Sequence, residues 1–224
     1  MKVRESQDTI PLSEVFTISR GSRSVAEVLT VALEMNGIVG YAECVPYRRY
    51  NETLESVTAQ ILEMPEDFTR ATLYDLLPAG AARNALDCAL WDLAAKTTGK
   101  RAWQLAGLKP PMPERTAYTL SLAEPKEMRA QAEKNRCRPI LKIKLGTADD
   151  VPRLEAVRAG APESDIIIDA NEGWSADLYL DLAPHLLRLG VKLVEQPLPA
   201  SEDEALIGMT RPIPVSYTHL RAHE

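Results

Sequence analysis

The sequence predicts an α/β protein with an α+β cap: an N-terminal α+β domain followed by a partial (β/α) barrel of about four to five βα units. Three observations predict it. An Asn36-Gly37 dipeptide separates two alternating runs near the N-terminus, helical periodicity then takes over to residue 98, and short apolar runs later alternate with helical stretches.

The first domain spans residues 1–110. Phe16 to Arg20 and Glu27 to Glu34 read as strands, the second alternating apolar and polar residues as EVLTVALE. Asn36-Gly37 is a strong two-residue hairpin turn, and Ile38 to Glu43 returns as the partner strand. Helices are predicted over Glu52 to Leu62, Thr69 to Leu77 and Ala81 to Thr98, with Gly99 closing the last. Leu108 to Glu114 has three prolines in seven residues and reads as a linker.

The second domain spans residues 111–215. Strands are expected at Thr116 to Leu120, Ile140 to Lys144, Ile166 to Asp169, Leu193 to Glu195, and from near Ile213. Helices fall between them at Lys126 to Asn135, Ala148 to Ala159, Ala176 to Leu189 and Glu202 to Met209, which implies βαβ units and a parallel sheet. A complete eight-stranded barrel takes about 250 residues, so only part of one fits here. Residues 216–224 carry no alternation and no helix signal, and read as a tail after a C-terminal truncation.

Chemistry concentrates at the strand ends. Asp169 follows Lys144 by 25 residues and Glu195 follows Asp169 by 26, about one βα unit each. Lys142, Lys144, Asp169 and Glu195 therefore sit at the carboxyl ends of consecutive parallel strands, where barrel enzymes carry their active sites. A Lys-x-Lys beside two rim carboxylates is an amine base next to a site for a hard divalent cation. Each residue alone has a plainer reading: solvated lysines, an aspartate capping the next helix, a strand-end acid. The regular spacing favours the metal site.

Composition narrows the class. A net charge of −6 argues against nucleic acid or an anionic membrane as partner. No apolar run reaches the length of a membrane span. MKVRESQDTI lacks the apolar core of a signal peptide. Three cysteines without metal-ligand spacing suggest reduced thiols in a cytoplasmic protein.

Six segments in order (FTISRGSRSVAEV, YAECVPYRRYNET, LPAGAARNALDCALWDL, KIKLG, DANEGW and EQPLP) resemble the enolase superfamily, within it the muconate-lactonizing subgroup, and most nearly its dipeptide epimerases. The resemblance implies an enolase-like capping domain over the barrel mouth and Mg²⁺-dependent epimerisation of L-Ala-D/L-Glu dipeptides by α-proton abstraction through an enediolate. It implies Lys144 as base and Lys142 as its electrostatic partner, an adjacent cation that disfavours protonation of the base. Asp169 and Glu195 would hold Mg²⁺, with Asn171 supporting them. Arg23 in the RGSRS loop would pair with a substrate carboxylate, Arg20 being the alternative. Tyr50 in YRRY and Thr119 on the first barrel strand would contact substrate. The substrate is then a small molecule, and the full-length enzyme can form a homo-oligomer.

The third metal ligand of the family would fall at Thr218, and the lysine on the opposite face lies beyond these residues. The resemblance therefore implies an inactive fragment. Two other readings stand beside it: another enzyme of the subgroup, such as a muconate cycloisomerase or o-succinylbenzoate synthase, and a non-catalytic ligand-binding remnant.

Overall fold

A computed structural model describes residues 1–216, so Thr218 and the tail beyond Ser216 lie outside the described residues. The chain forms two compact units, one of residues 1–12 and 25–113, the other of residues 13–24 together with the chain from Glu114 on.

The first unit is built on β1 (Lys2–Ile18), β2 (Gly21–Met35) and β3 (Ile38–Cys44), in that order in one sheet. Asn36 and Gly37 both take positive φ, 52° and 79°, between the paired residues Met35 and Ile38. That is the two-residue turn whose twist suits a hairpin. The structure extends the expected first strand, Phe16 to Arg20, back to Lys2. The added part is polar and exposed almost throughout, so it carries no alternation to read, and Pro11 is tolerated because β1 is an edge strand.

Helices α1 (Leu54–Leu62) and α2 (Arg70–Leu76) start one residue after a threonine. Thr53 and Thr69 each accept a hydrogen bond from the backbone three residues on, in capping boxes with Ser56 and Thr72. The predicted starts at Glu52 and Thr69 thus include residues that cap the helices. Helix α3 (Ala81–Thr98) ends at Gly99, φ 68°, as expected. A short helix, α4 (Ala102–Leu105), lies in a stretch to which the sequence assigned no element. Helix α3 packs on β3 through small residues. A Cβ on Gly40 would meet the Ala89 carbonyl oxygen and lie 2.6 Å from Leu93 Cβ and N, all on α3. Gly40→Ala should therefore destabilise the chain by about 1–3 kcal/mol through overpacking, read as a lower urea midpoint at unchanged slope.

The second unit holds β4 (Ala117–Leu120), β5 (Ile140–Lys144), β6 (Asp165–Asp169), β7 (Val191–Glu195) and β8 (Val215–Ser216), all parallel and in sequence order. Helices α5 (Pro125–Lys134), α6 (Asp150–Gly160) and α7 (Ala176–Arg188) connect successive strands. The sheet and its helices are the partial barrel that the alternating pattern predicts. Between β7 and β8 the structure has a 3₁₀ segment, Ala200–Leu206, where an α-helix to Met209 is expected. Gly208, with φ 78°, turns the chain before Met209 and stops a helix from running that far.

Alternation sorts the sheet into two faces. Leu120, Leu141, Ile143, Ile166, Ile168 and Val194 are buried against Met128, Leu154, Val157, Leu182 and Leu186 of the helices. Thr119, Ile140, Lys142, Ile167 and Leu193 face the other way and are half-buried. The rhythm breaks once. Ile166 pairs with Val191 but Ile167 pairs with Leu193, so Lys192 is a bulged residue.

Candidate active site

The cluster begins with strand register. Lys144, Asp169 and Glu195 are register partners across β5, β6 and β7, and Lys142 lies two residues earlier on the same face. Four charged side chains thereby converge at the carboxyl ends of three strands. Lys144 Nζ donates to Asp169 Oδ2 at 2.6 Å, and Lys142 Nζ lies 3.1 Å from the same oxygen. Lys142 also donates to Glu195 Oε2. Asp169 is 2% exposed and Lys144 8%.

Electrostatics follow from this pairing. Burial works against the Asp169 charge, but hydrogen bonds and attraction from Lys144 and Lys142 outweigh it and hold the carboxyl below the ordinary range. Burial likewise opposes the Lys142 charge, and its bonds to Glu195 and Asp169 outweigh that and raise it. Attraction to the carboxylates thus governs Lys142 here, more than repulsion from the neighbouring lysine.

The sign of each shift defines a pH window for the metal-free chain. A depressed Asp169 contributes stability that is complete above its unfolded value of about 3.9 and fades as pH falls through the lower folded value. A raised Lys142 contributes stability that is complete below about 10.4 and fades as pH rises through the higher folded value. In EDTA, the gap in urea midpoint between wild type and Asp169→Asn should be widest near neutrality and shrink as pH falls below about 4. A gap that stays constant into acid would contradict the assignment.

The loops around the cluster are held in unusual backbone conformations. Asn171, Glu172 and Gln196 have φ of 49°, 65° and 45°. Asn171 N–H donates to Asp169 Oδ1 at 3.0 Å, so the backbone of the residue expected to support the carboxylate does touch it. The Asn171 side-chain oxygen is buried without a partner. Residues 13–24, at the tip of the β1–β2 hairpin, cluster with this unit. Ser19 Oγ and Arg20 donate to the Asn171 carbonyl at 3.2 and 2.6 Å, and Arg20 pairs with Glu172 at 3.2 Å. Phe16 places its ring centroid 5.7 Å from Lys144 Nζ.

The remaining candidates are dispersed. Thr119 is the register partner of Lys142 and shares its face. Arg23 is exposed, its guanidinium 5.3 Å from the Phe16 ring. Tyr50 belongs to the first unit, in a 3₁₀ turn beside a cavity of about 450 Å³ that Cys44, Glu52 and Asn84 also line. In that cavity burial, then Glu52 and Glu43, push the Cys44 thiol up to about 11, which makes it unreactive. Ser19, Phe16 and Gln196 were not singled out from the sequence; the contacts of Ser19 and Phe16 span more than 125 residues, and that of Gln196 with Asn171 spans 25.

The donor set suits a hard cation in kind. Two adjacent carboxylates already hold a positive group, the Lys142 ammonium, between them. Among the described residues no third His, Cys, Asp or Glu joins them.

Residues 1–107 match the mandelate racemase / muconate lactonizing enzyme N-terminal domain, and residues 127–218 match the enolase C-terminal domain-like family. The chain is 42% identical to an L-Ala-D/L-Glu epimerase of Escherichia coli, over 95% of this chain and 68% of that protein. It belongs to the mandelate racemase / muconate lactonizing family of the enolase superfamily. A second family member, an N-acetyl-D-glutamate racemase of Pseudoalteromonas, is 41% identical over 84% of this chain and 61% of its own length. A crystal structure of an enolase family member from Agrobacterium tumefaciens, with homology to dipeptide epimerases and with bound sodium and L-Ala-L-Glu, superposes with a TM-score of 0.92. It is 47% identical, over 96% of this chain and 67% of that one. The chain thus spans about two thirds of the length of these members of the family, and no described helix is long and apolar enough to cross a membrane.

Proposed function

We propose that this chain carries one half of the catalytic apparatus of a Mg²⁺-dependent dipeptide epimerase acting on L-Ala-D/L-Glu substrates. The observation that supports it most is the Lys144–Asp169–Lys142–Glu195 cluster at the ends of three successive strands. Related structures carry Mg and a dipeptide, among them dipeptide epimerases from Enterococcus faecalis and Methylococcus capsulatus. The three unpaired cysteines agree with a cytoplasmic setting.

Removing the α-proton of an amino acid leaves two negative charges on a planar enediolate, which preorganised positive charge must stabilise. Asp169 and Glu195 would hold Mg²⁺, which when bound polarises the substrate carboxylate as a Lewis acid. Lys144 Nζ, released from Asp169, takes the α-proton on one face. Lys142 stays charged and faces the developing negative charge. Asn171 fixes the Asp169 carboxylate through its backbone N–H. Thr119 contacts the dipeptide, and Arg23 receives its side-chain carboxylate, because Arg20 already serves the Asn171 carbonyl and Glu172.

Epimerisation needs a proton delivered to the other face, and the described residues place both lysines on one strand. The 224-residue chain by itself should therefore bind Mg²⁺ weakly and turn over no dipeptide. Calorimetric titration with Mg²⁺ and ¹H NMR of L-Ala-D-Glu in D₂O test this together. Measurable turnover by the 224-residue chain would overturn the half-site reading.

A further inference from the structure

A second buried carboxylate joins the loops that carry the cluster. Asp150, the first residue of α6, is 1% exposed. Its Oδ2 accepts hydrogen bonds from Gly146 N–H, Thr147 N–H and Trp174 Nε1–H, each at 2.8 Å. Its Oδ1 accepts from Thr147 Oγ1 at 2.9 Å and from Arg153 at 3.3 Å. Arg153 also donates to the Ala123 carbonyl at 3.0 Å. One side chain thus reaches the loop two residues beyond Lys144, the loop five residues beyond Asp169 and, through Arg153, the loop that follows β4.

These loops touch backbone to backbone. A Cβ on Gly173 would lie 2.5 Å from the Gly146 carbonyl oxygen, and a Cβ on Gly146 would lie 2.6 Å from the Ala170 carbonyl oxygen. Movement of either loop is therefore transmitted to the other. Helix initiation does not account for the arrangement, since the N-cap is Asp149 and that residue makes no side-chain cap. An apolar side chain at position 150 would fill the space but strand two backbone N–H groups and a buried indole, each costly to leave unbonded.

We infer that Asp150 is a positioning residue, whose carboxylate sets the placement of Lys144 against Asp169 by clamping the loops after β5 and β6 through Gly146, Thr147 and Trp174. Only its effect on turnover rests on the proposed epimerase reading.

Asp150→Asn keeps the volume and removes one acceptor oxygen. In the 224-residue chain the reporter is the Asn171 amide, which binds Asp169 Oδ1 and does not touch Asp150. Its hydrogen exchange, followed by ¹⁵N NMR, should quicken about tenfold in the variant. Changes confined to Gly146, Thr147 and the Trp174 indole, with Asn171 unaltered, would reduce Asp150 to a local structural role and overturn the inference. Should Asp150→Asn fail to fold, Trp174→Phe removes the indole bond alone and is read in the same way. In a chain extended to the length of its relatives, Asp150→Asn should lower kcat for α-proton exchange about tenfold, the scale of a small misplacement, with the dipeptide KM little changed. Combining it with Trp174→Phe should give less than the product of the two effects, as expected of partners in one bond. An unchanged kcat per folded molecule would overturn the inference. Absence of exchange by the extended wild type would instead sink the epimerase reading and leave the Asn171 measurement to decide on Asp150.

Discussion

Replacing Lys144 by alanine, in a chain extended to the full length of its relatives, should abolish exchange of the substrate α-proton with solvent deuterium on at least one epimer. A positioned general base contributes about 10²–10⁴-fold, and no other described amine occupies the Lys144 rung. Lys142 lies two residues earlier on β5, between the Asp169 and Glu195 carboxylates. ¹H NMR in D₂O with each epimer separately gives the answer face by face. Unchanged exchange on both epimers would remove Lys144 from the mechanism.

The largest effect on folding is expected at Asp169. Its carboxylate is shared by two ammonium groups, and Lys144 is nearly as buried as Asp169 itself. Asp169→Ala would leave an unpaired charge in the interior, which costs about 3–5 kcal/mol. That is a large share of the 5–15 kcal/mol typical of a folded domain. Adding Lys144→Met to the same chain should restore most of the loss, because the uncompensated charge goes with it. Urea unfolding of the two variants distinguishes this from a cavity effect, which the second substitution would not relieve.

Much of this site was legible because it is written in strand ends. Lys144, Asp169 and Glu195 each close a short apolar run, and parallel pairing in sequence order places such residues on adjacent rungs. The Asn36-Gly37 hairpin and α3 were equally readable, since each is fixed by local backbone preferences. What escaped depends on partners distant in sequence. The first half of β1 has no amphipathic rhythm, and its place as a strand comes from lying beside β2. Asp150 falls inside the predicted helix Ala148 to Ala159 with nothing local to mark it, and only the fold brings it to Trp174. Docking of Ser19 and Arg20 on the Asn171 carbonyl spans more than 150 residues. The expected Arg23 and Tyr50 contacts cannot be derived from spacing either, because both lie on segments outside the barrel strands.

The bulge at Lys192 carries a consequence for how this gene can vary. Val191 and Val194 both face the helices although two residues lie between them, and the surplus one of these restores the phase that sets Glu195 beside Asp169. The strand therefore holds one dispensable position. Loss of codon 192 leaves every downstream partner unchanged, whereas loss of codon 193 or 194 keeps Glu195 beside Asp169 but sets Lys192 on the rung that Leu193 now holds. Within β7, loss of a residue should be tolerated best at position 192, where no side chain of the two sheet faces changes its rung.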